Sequence, residues 1–222
     1  MATYLQLCQR ARQECGIAGS GPSSVVSQTG DLKRIVDWVN TAWQDIQTRE
    51  ETWQWMRASF SKALTSGTNT YTPTALDITS FASWFTDSIK LYKTSTTDES
   101  PLTYIPYEDF YNIYMLGTIP TGRPAYFSIK PDKSLIFYPT PNQVYTVKGD
   151  YYTGTTTLSA DADTPAIPAR FHDLLWYGAM RKYAMFEAAN EVYQFATQEY
   201  NRLMRNLEQD QLPDILPVEP LI

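Results

Sequence analysis

Asp31-Leu32-Lys33-Arg34-Ile35-Val36-Asp37-Trp38-Val39-Asn40-Thr41-Ala42-Trp43-Gln44-Asp45-Ile46-Gln47 carries apolar residues at Leu32, Ile35, Val36, Val39, Trp43 and Ile46. That three-to-four spacing places them on one stripe of an α-helix, which the pattern extends to Glu50. Asp31 stands where it can cap the first turn. Glu50 and Glu51 close the helix, where negative charge opposes the macrodipole. A helix with one apolar stripe needs other apolar faces to bury it, and three further segments supply them. Upstream, Tyr4, Cys8, Ala11 and Cys15 share a stripe over residues 3–15, and Gly16 follows at the place of a left-handed C-terminal cap. Downstream of Pro165 and Pro168, Phe171, Leu174, Leu175, Gly178 and Met185 fit a helix over 169–188. Tyr193, Ala196, Tyr200, Leu203, Met204 and Leu207 fit another over 191–208.

Between these helical parts the pattern changes. From Thr52 to about Thr157 the chain is rich in Tyr, Thr, Ser, Phe and Pro, with short runs of period two. Ile89 and Leu91, then Ala125, Phe127 and Ile129, then Leu135 and Phe137, and finally Tyr145, Val147 and Tyr151 each share a parity. Lys130-Pro131-Asp132-Lys133 places proline where a type I turn accepts it, which predicts a hairpin. Tyr107 to Met115 reads as one short helix.

The expected fold is therefore α+β. Residues 1–51 and 165–211 form a four-helix bundle, and residues 52–164 form a small antiparallel β domain inserted into it. Residues 212–222 hold three prolines among aliphatic residues without a period, so they are expected to be an extended C-terminal tail. Trp53, Trp55 and Met56 stand at the junction between bundle and insertion, where hinge packing is their expected role and a direct partner contact the alternative.

Composition narrows function. With 43% hydrophobic and 19% charged residues the chain can bury a core. A net charge of −6 argues against tight binding to duplex DNA, which needs clustered Lys and Arg along the phosphates. No apolar run reaches the length of a membrane span, and the first residues lack signal-peptide order, so the expectation is a soluble protein made in a cytoplasm. Cys8 and Cys15 lie seven residues apart, or about 10.5 Å along a helix axis, beyond the roughly 7 Å Cα separation that a disulfide tolerates. They are expected to be reduced and packed as small apolar residues.

A search for chemistry finds no catalytic set. His172 is the single histidine and stands near a helix start, where a packing or capping role is expected. Gly16, Gly19 and Gly21 have neither phosphate-loop spacing nor a following Lys-Ser or Lys-Thr. Asp161 and Asp163 lack the rest of a calcium loop and are expected to make local turns. No cofactor or metal is expected. The sixteen Tyr, six Trp and nine Phe are too many for one small core. They suit protein interfaces, and also sugar-binding faces.

Taken in order, several stretches resemble the head-to-tail adaptor proteins of tailed phages. They are Glu14-Cys15-Gly16-Ile17 before a Pro-Ser loop, the helix 31–47 followed by Trp53-Gln54-Trp55-Met56, and Arg123-Pro124-Ala125-Tyr126. Leu135-Ile136-Phe137-Tyr138-Pro139-Thr140-Pro141 and Pro165-Ala166-Ile167-Pro168 before Phe171-His172 complete the set. The resemblance covers nearly the whole chain. It implies a non-enzymatic virion subunit of the neck, in a homo-oligomeric and usually dodecameric ring below the portal. Its implied partners are the portal protein and a tail nozzle or tail completion protein, with DNA passing through the lumen without specific binding. It also implies that the tail residues Leu212, Ile215, Leu216, Pro217, Val218, Pro220, Leu221 and Ile222 anchor the subunit to the portal. Two rivals stand beside it: a carbohydrate- or receptor-binding module using exposed Tyr and Trp, and a hydrolase whose carboxylates the fold brings together.

The helix stripe assigns Trp43 to the core, and truncating a buried aromatic costs about 3–5 kcal/mol. Trp43→Ala is expected to lower the melting temperature and the soluble yield. Unchanged thermal stability would place Trp43 on a surface instead.

Overall fold

The computed structural model describes residues 1–19, 21–93 and 96–212. Five α-helices lie among them: α1 Tyr4–Glu14, α2 Gly30–Arg49, α3 Tyr107–Tyr114, α4 Asp173–Phe186 and α5 Asn190–Gln211. Two compact units result. One comprises Met1–Met56 with the chain from Thr155 onward, and the other is Arg57–Gly154. The breaks fall inside the expected limits of 52 and 164, for a physical reason at each end. Trp53 and Met56 are buried with the first unit, and its indole donates to the Ile46 carbonyl at 3.0 Å. On the return, the Gln47 amide donates to the Thr156 carbonyl at 2.9 Å and accepts from the Thr156 N–H at 2.8 Å.

In the helical unit, local chemistry sets the helix ends. Thr3 and Gln6 form a reciprocal capping box, the Thr3 hydroxyl accepting from the Gln6 N–H at 3.3 Å and the Gln6 side chain from the Thr3 N–H at 3.0 Å. At the other end of α1, Gly16 has φ +69°, its N–H donates to Gln13, and the Ile17 N–H donates to Arg12. This is the left-handed cap expected from the sequence. α2 differs from expectation. Thr29 precedes it, and Asp31 lies inside the first turn bonded to Arg34 at 3.1 Å, so its charge acts on the helix dipole and not as a cap. The helix ends at Arg49, and Glu50 is extended, so neither Glu50 nor Glu51 opposes the dipole from within.

The four helices of this unit are not four equal corners of a bundle. α4 packs against α1, α2 and α5, while α1 also packs on α2. The cause lies in α4 itself, where Leu174, Leu175, Trp176, Gly178, Ala179, Met180 and Ala184 are all buried. A helix apolar on nearly every side takes the central place. It is shorter than expected because residues 169–171 form a separate 3-10 turn. Met185, expected on its buried face, is 70% exposed, on the last turn beside the polar pair Lys182–Asp45. At Gly178 the approach to α2 is so close that a Cβ would lie 2.6 Å from the Ala42 Cβ.

Among its described residues the other unit has ten short strands: β1 Arg57–Ala63, β2 Thr70–Tyr71, β3 Ser83–Tyr92, β4 Ser100–Pro101, β5 Thr103–Tyr104, β6 Thr121–Gly122, β7 Tyr126–Ile129, β8 Leu135–Tyr138, β9 Thr140–Pro141 and β10 Thr146–Tyr152. They make a sheet in the order β1-β10-β3-β4, a second in the order β2-β8-β7-β5, and a small pair β6-β9. Most pairs are antiparallel, but β5–β7 and β6–β9 run parallel, which departs from the wholly antiparallel expectation. The predicted hairpin joins β7 to β8. Lys130 accepts from the Lys133 N–H at 2.8 Å, and Lys133 has φ +65°, a type I turn closed by a left-handed residue.

Side chains of both large sheets share one core, with Phe60, Leu91 and Val147 from the first and Phe127, Leu135 and Phe137 from the second. The opposite parity of the second sheet is covered as well. There Tyr126 and Tyr138 meet the rings of Phe110 and Tyr114 from α3. Two cores and a sheet covered on both faces accommodate aromatics that one small core could not.

Alanine normally suits a helix interior better than glycine by about 1 kcal/mol. At position 178 the added methyl meets Ala42, and overpacking of this kind costs about 1–3 kcal/mol. Gly178→Ala is therefore expected to lower the melting temperature, and Ala42→Gly in the same chain to restore most of the loss. A Gly178→Ala protein that melts higher would show that α2 and α4 are not in close contact.

Candidate interaction surfaces

The junction residues are mostly interior. Trp53 is fully buried and stacks on Trp55 with ring centroids 4.4 Å apart, and Met56 is 6% exposed. Trp55 is half-buried, and its indole N–H is out of water without an acceptor. Of the expected tail residues only Leu212 is described. It leaves α5 in an extended conformation while its N–H still donates to Glu208 at 3.0 Å. Ile215, Leu216, Pro217, Val218, Pro220, Leu221 and Ile222 lie outside the described residues. The root of the tail is held by two ion pairs: Glu208 with Arg49 at 2.8 Å, and Asp210 with Arg170.

The Asp, Cys and His side chains that could carry chemistry are engaged in the structure itself. The Asp163 carboxylate accepts from the N–H groups of Ser159 and Ala160 at 2.7 and 2.8 Å, the local turn expected of it, and these bonds hold it below the usual carboxylate range. Asp161 reaches further, accepting from Ser24 Oγ at 3.1 Å and the Val25 N–H at 2.6 Å. The backbone carbonyls of the same two residues accept the N–H groups of Leu5 and Tyr4, at the start of α1. Among the described residues no group of three or more His, Cys, Asp or Glu could hold a metal ion. Cys8 and Cys15 are free thiols, and burial pushes each up to about 12, so neither forms a thiolate near neutral pH. His172 is 3% exposed. Its Nδ1 accepts from the Ala2 N–H at 3.2 Å, which leaves Nε2–H to donate to the Ile167 carbonyl at 3.2 Å. That pairing needs the neutral ring.

Open apolar side chains form a different set. Trp43, Trp53, Trp84 and Trp176 are buried, and Trp38 and Trp55 are half-buried. The flat exposed platform of a sugar-binding face is therefore absent among the described Trp residues. Instead Tyr111, Ile113 and Leu116 are exposed on α3 and the turn after it, and Met185 and Phe186 at the end of α4. The exposed group at α3 has a signal in the sequence: Phe110 and Tyr114 share one side of a short helix, and Ile113 lies off that side.

A family model described as SU10 adaptor protein matches residues 2–217. The chain belongs to the SU10 adaptor family. The matched span runs through both units. The adaptor family is one of phage structural proteins and not of enzymes. No curated protein matches the chain. No described helix of this adaptor is long and apolar enough to cross a membrane.

Burial lowers the proton affinity of His172 below its ordinary value. The unfolded chain takes up that proton near pH ~6.5, whereas the folded protein resists it. The stability due to the neutral ring is thus complete above about pH 6.5 and is lost as pH falls through the unfolded value towards the folded one. Melting temperature is expected to decline between about pH 7.5 and 5, and less steeply in His172→Gln. Parallel profiles for the two proteins would mean that His172 does not titrate differently on folding.

Proposed function

We propose that the chain is a head-to-tail adaptor subunit that forms a ring below the portal, joins capsid to tail and surrounds the DNA channel. The observation that carries this reading is the adaptor-family match across residues 2–217. The portal protein and a tail nozzle or completion protein are the partners that the family implies, and a dodecameric ring is the assembly proposed. The net charge of −6 supports a channel through which DNA slides, because few fixed cations are available to hold phosphates.

The tail is proposed as the portal anchor. Leu212, Ile215, Leu216, Val218, Leu221 and Ile222 are aliphatic, and exposed chains of this kind favour burial against a partner. Pro217 and Pro220 restrict the backbone, which reduces the entropy lost when an extended segment docks. The tail starts from the end of α5 that Arg49 and Arg170 hold in place. Trp53, Trp55 and Met56 are proposed as internal packing where the chain leaves the helical unit, and not as a partner contact.

Deleting residues 213–222 removes none of the described contacts. The truncated protein is expected to keep its melting temperature and to lose co-sedimentation with portal rings. Normal portal binding after truncation would reject the anchor, and a large fall in melting temperature would favour a strap folded over the chain's own helices.

A further inference from the structure

α3 has one side fastened and one side bare. Phe110 is fully buried and meets Tyr138 at 6.4 Å, while Tyr114 meets Tyr126 and Tyr138 at 5.2 and 4.7 Å. These rings fix the helix, so its outer side is held in one orientation. Asp109 and Ile113, four residues apart, share one flank of the helix, and Ile113 with Leu116 just beyond the helix end are 63% and 70% exposed. Single exposed aliphatics are ordinary on a protein surface, but a group of them on a rigid element marks a contact site. Residues 94–122 contain Asp98, Glu99, Glu108 and Asp109 and no Lys or Arg. Asp98 pairs with Arg123, and Glu99 with Lys90 and Lys148. Glu108 and Asp109, on the first turn of α3, have no cation partner among the described residues. Acids there suit the helix dipole, yet the dipole does not call for an apolar tip beside them.

A surface of the opposite character lies on the helical unit. A groove among α2, α4 and α5 is lined by Ala42, Asp45, Gly178, Arg181, Lys182, Met185 and Tyr200. Met185 is 70% exposed at this groove, whereas Phe186 lines a separate pocket with Trp38 and Tyr183 under the Arg34 guanidinium. Asp45 answers Lys182 at 3.0 Å. Arg181 lies over the Tyr200 ring at 4.7 Å and has no carboxylate partner among the described residues. Its Nε is already out of water without an acceptor. Part of the desolvation that a salt bridge requires has therefore taken place before any carboxylate arrives.

We propose that the α3 patch of one copy docks on this groove of a second copy. Ile113 and Leu116 lie against Met185, and Glu108 or Asp109 faces Arg181. The argument for a second copy is that the acidic apolar tip and the cationic apolar groove are carried by the same chain. Because the two surfaces differ, the contact is heterologous and repeats from copy to copy, the type from which closed rings are made. The inference rests on the ring-forming reading above and names the surfaces that would form the ring.

The test uses full-length chains with Cys8→Ala and Cys15→Ala. One preparation carries Asp109→Cys, the other Met185→Cys, and the two are mixed under mild oxidation. Disulfide-linked mixed pairs are expected at severalfold the yield of a control pairing Glu51→Cys with Met185→Cys. Leu116→Asp in the first partner should reduce the yield to the control level. Glu108→Arg should do the same, with Arg181→Glu in the second partner restoring it. If Arg181→Glu does not fold, the exposed Leu116→Asp variant alone decides the result. A yield no higher than the control, or one indifferent to Leu116→Asp, overturns the proposed contact. Both preparations are also sedimented with portal rings. Chains that bind portal but do not cross-link overturn this contact and leave the adaptor reading standing. Chains that cross-link but never bind portal do the reverse.

Discussion

Gln47 holds together two passages of the chain that are far apart in sequence. Its amide donates to and accepts from the backbone of Thr156, as a neighbouring strand would, from a side chain that is 3% exposed. Asn40, two turns earlier on the same face of α2, repeats the device by accepting from the Leu158 N–H at 3.0 Å. Every contact of α4 and α5 with α1 and α2 requires that the long insertion be closed into a loop, at a cost in chain entropy. The bonds from α2 to residues 156 and 158 fix the return point of that loop. They also give hydrogen-bond partners to the backbone of Thr156 and of the buried Leu158.

The helices were legible because their stabilisation is periodic. The stripe from Leu32 to Ile46 could be read without a structure, and Gly16 could be read as a cap because few other residues adopt its conformation without strain. The clamp by Gln47 was not legible. A side-chain amide that binds a backbone more than a hundred residues away leaves no local pattern, so the expected boundary fell at Pro165, where periodicity resumes. The central position of α4 was also hidden. Its stripe was counted as one face, although Trp176, Ala179 and Met180 make the other faces apolar too.

The aromatic excess gave a partly misleading signal. Too many rings for one core suggested a surface rich in Tyr and Trp, but the second sheet is covered on both sides and absorbs many of them. The large hydrophobics that remain open among the described residues include aliphatic and sulfur-containing side chains such as Val26, Ile113, Leu116, Val144 and Met185 as well as Tyr104, Tyr111, Phe186 and Phe195, and no Trp. The acceptors for the first amides of α1 were likewise beyond a sequence reading. Asp161 and Asp163 were recognised as loop residues, but their carbonyls serve a helix near the opposite end of the chain.

That last arrangement has a consequence for synthesis. The carbonyls that receive the Tyr4 and Leu5 amides, and the helix that covers α1 and α2, are made only after the whole β unit has been synthesised. At about 5–20 residues per second, α1 and α2 exist for on the order of ten seconds with their apolar stripes facing solvent. The β unit, contiguous in sequence, has all its parts before the helical unit does. The newborn chain is thus a growing body carrying an uncovered leading end, and that interval is when a chaperone or a neighbouring nascent chain has access to Val39, Trp43 and Ile46.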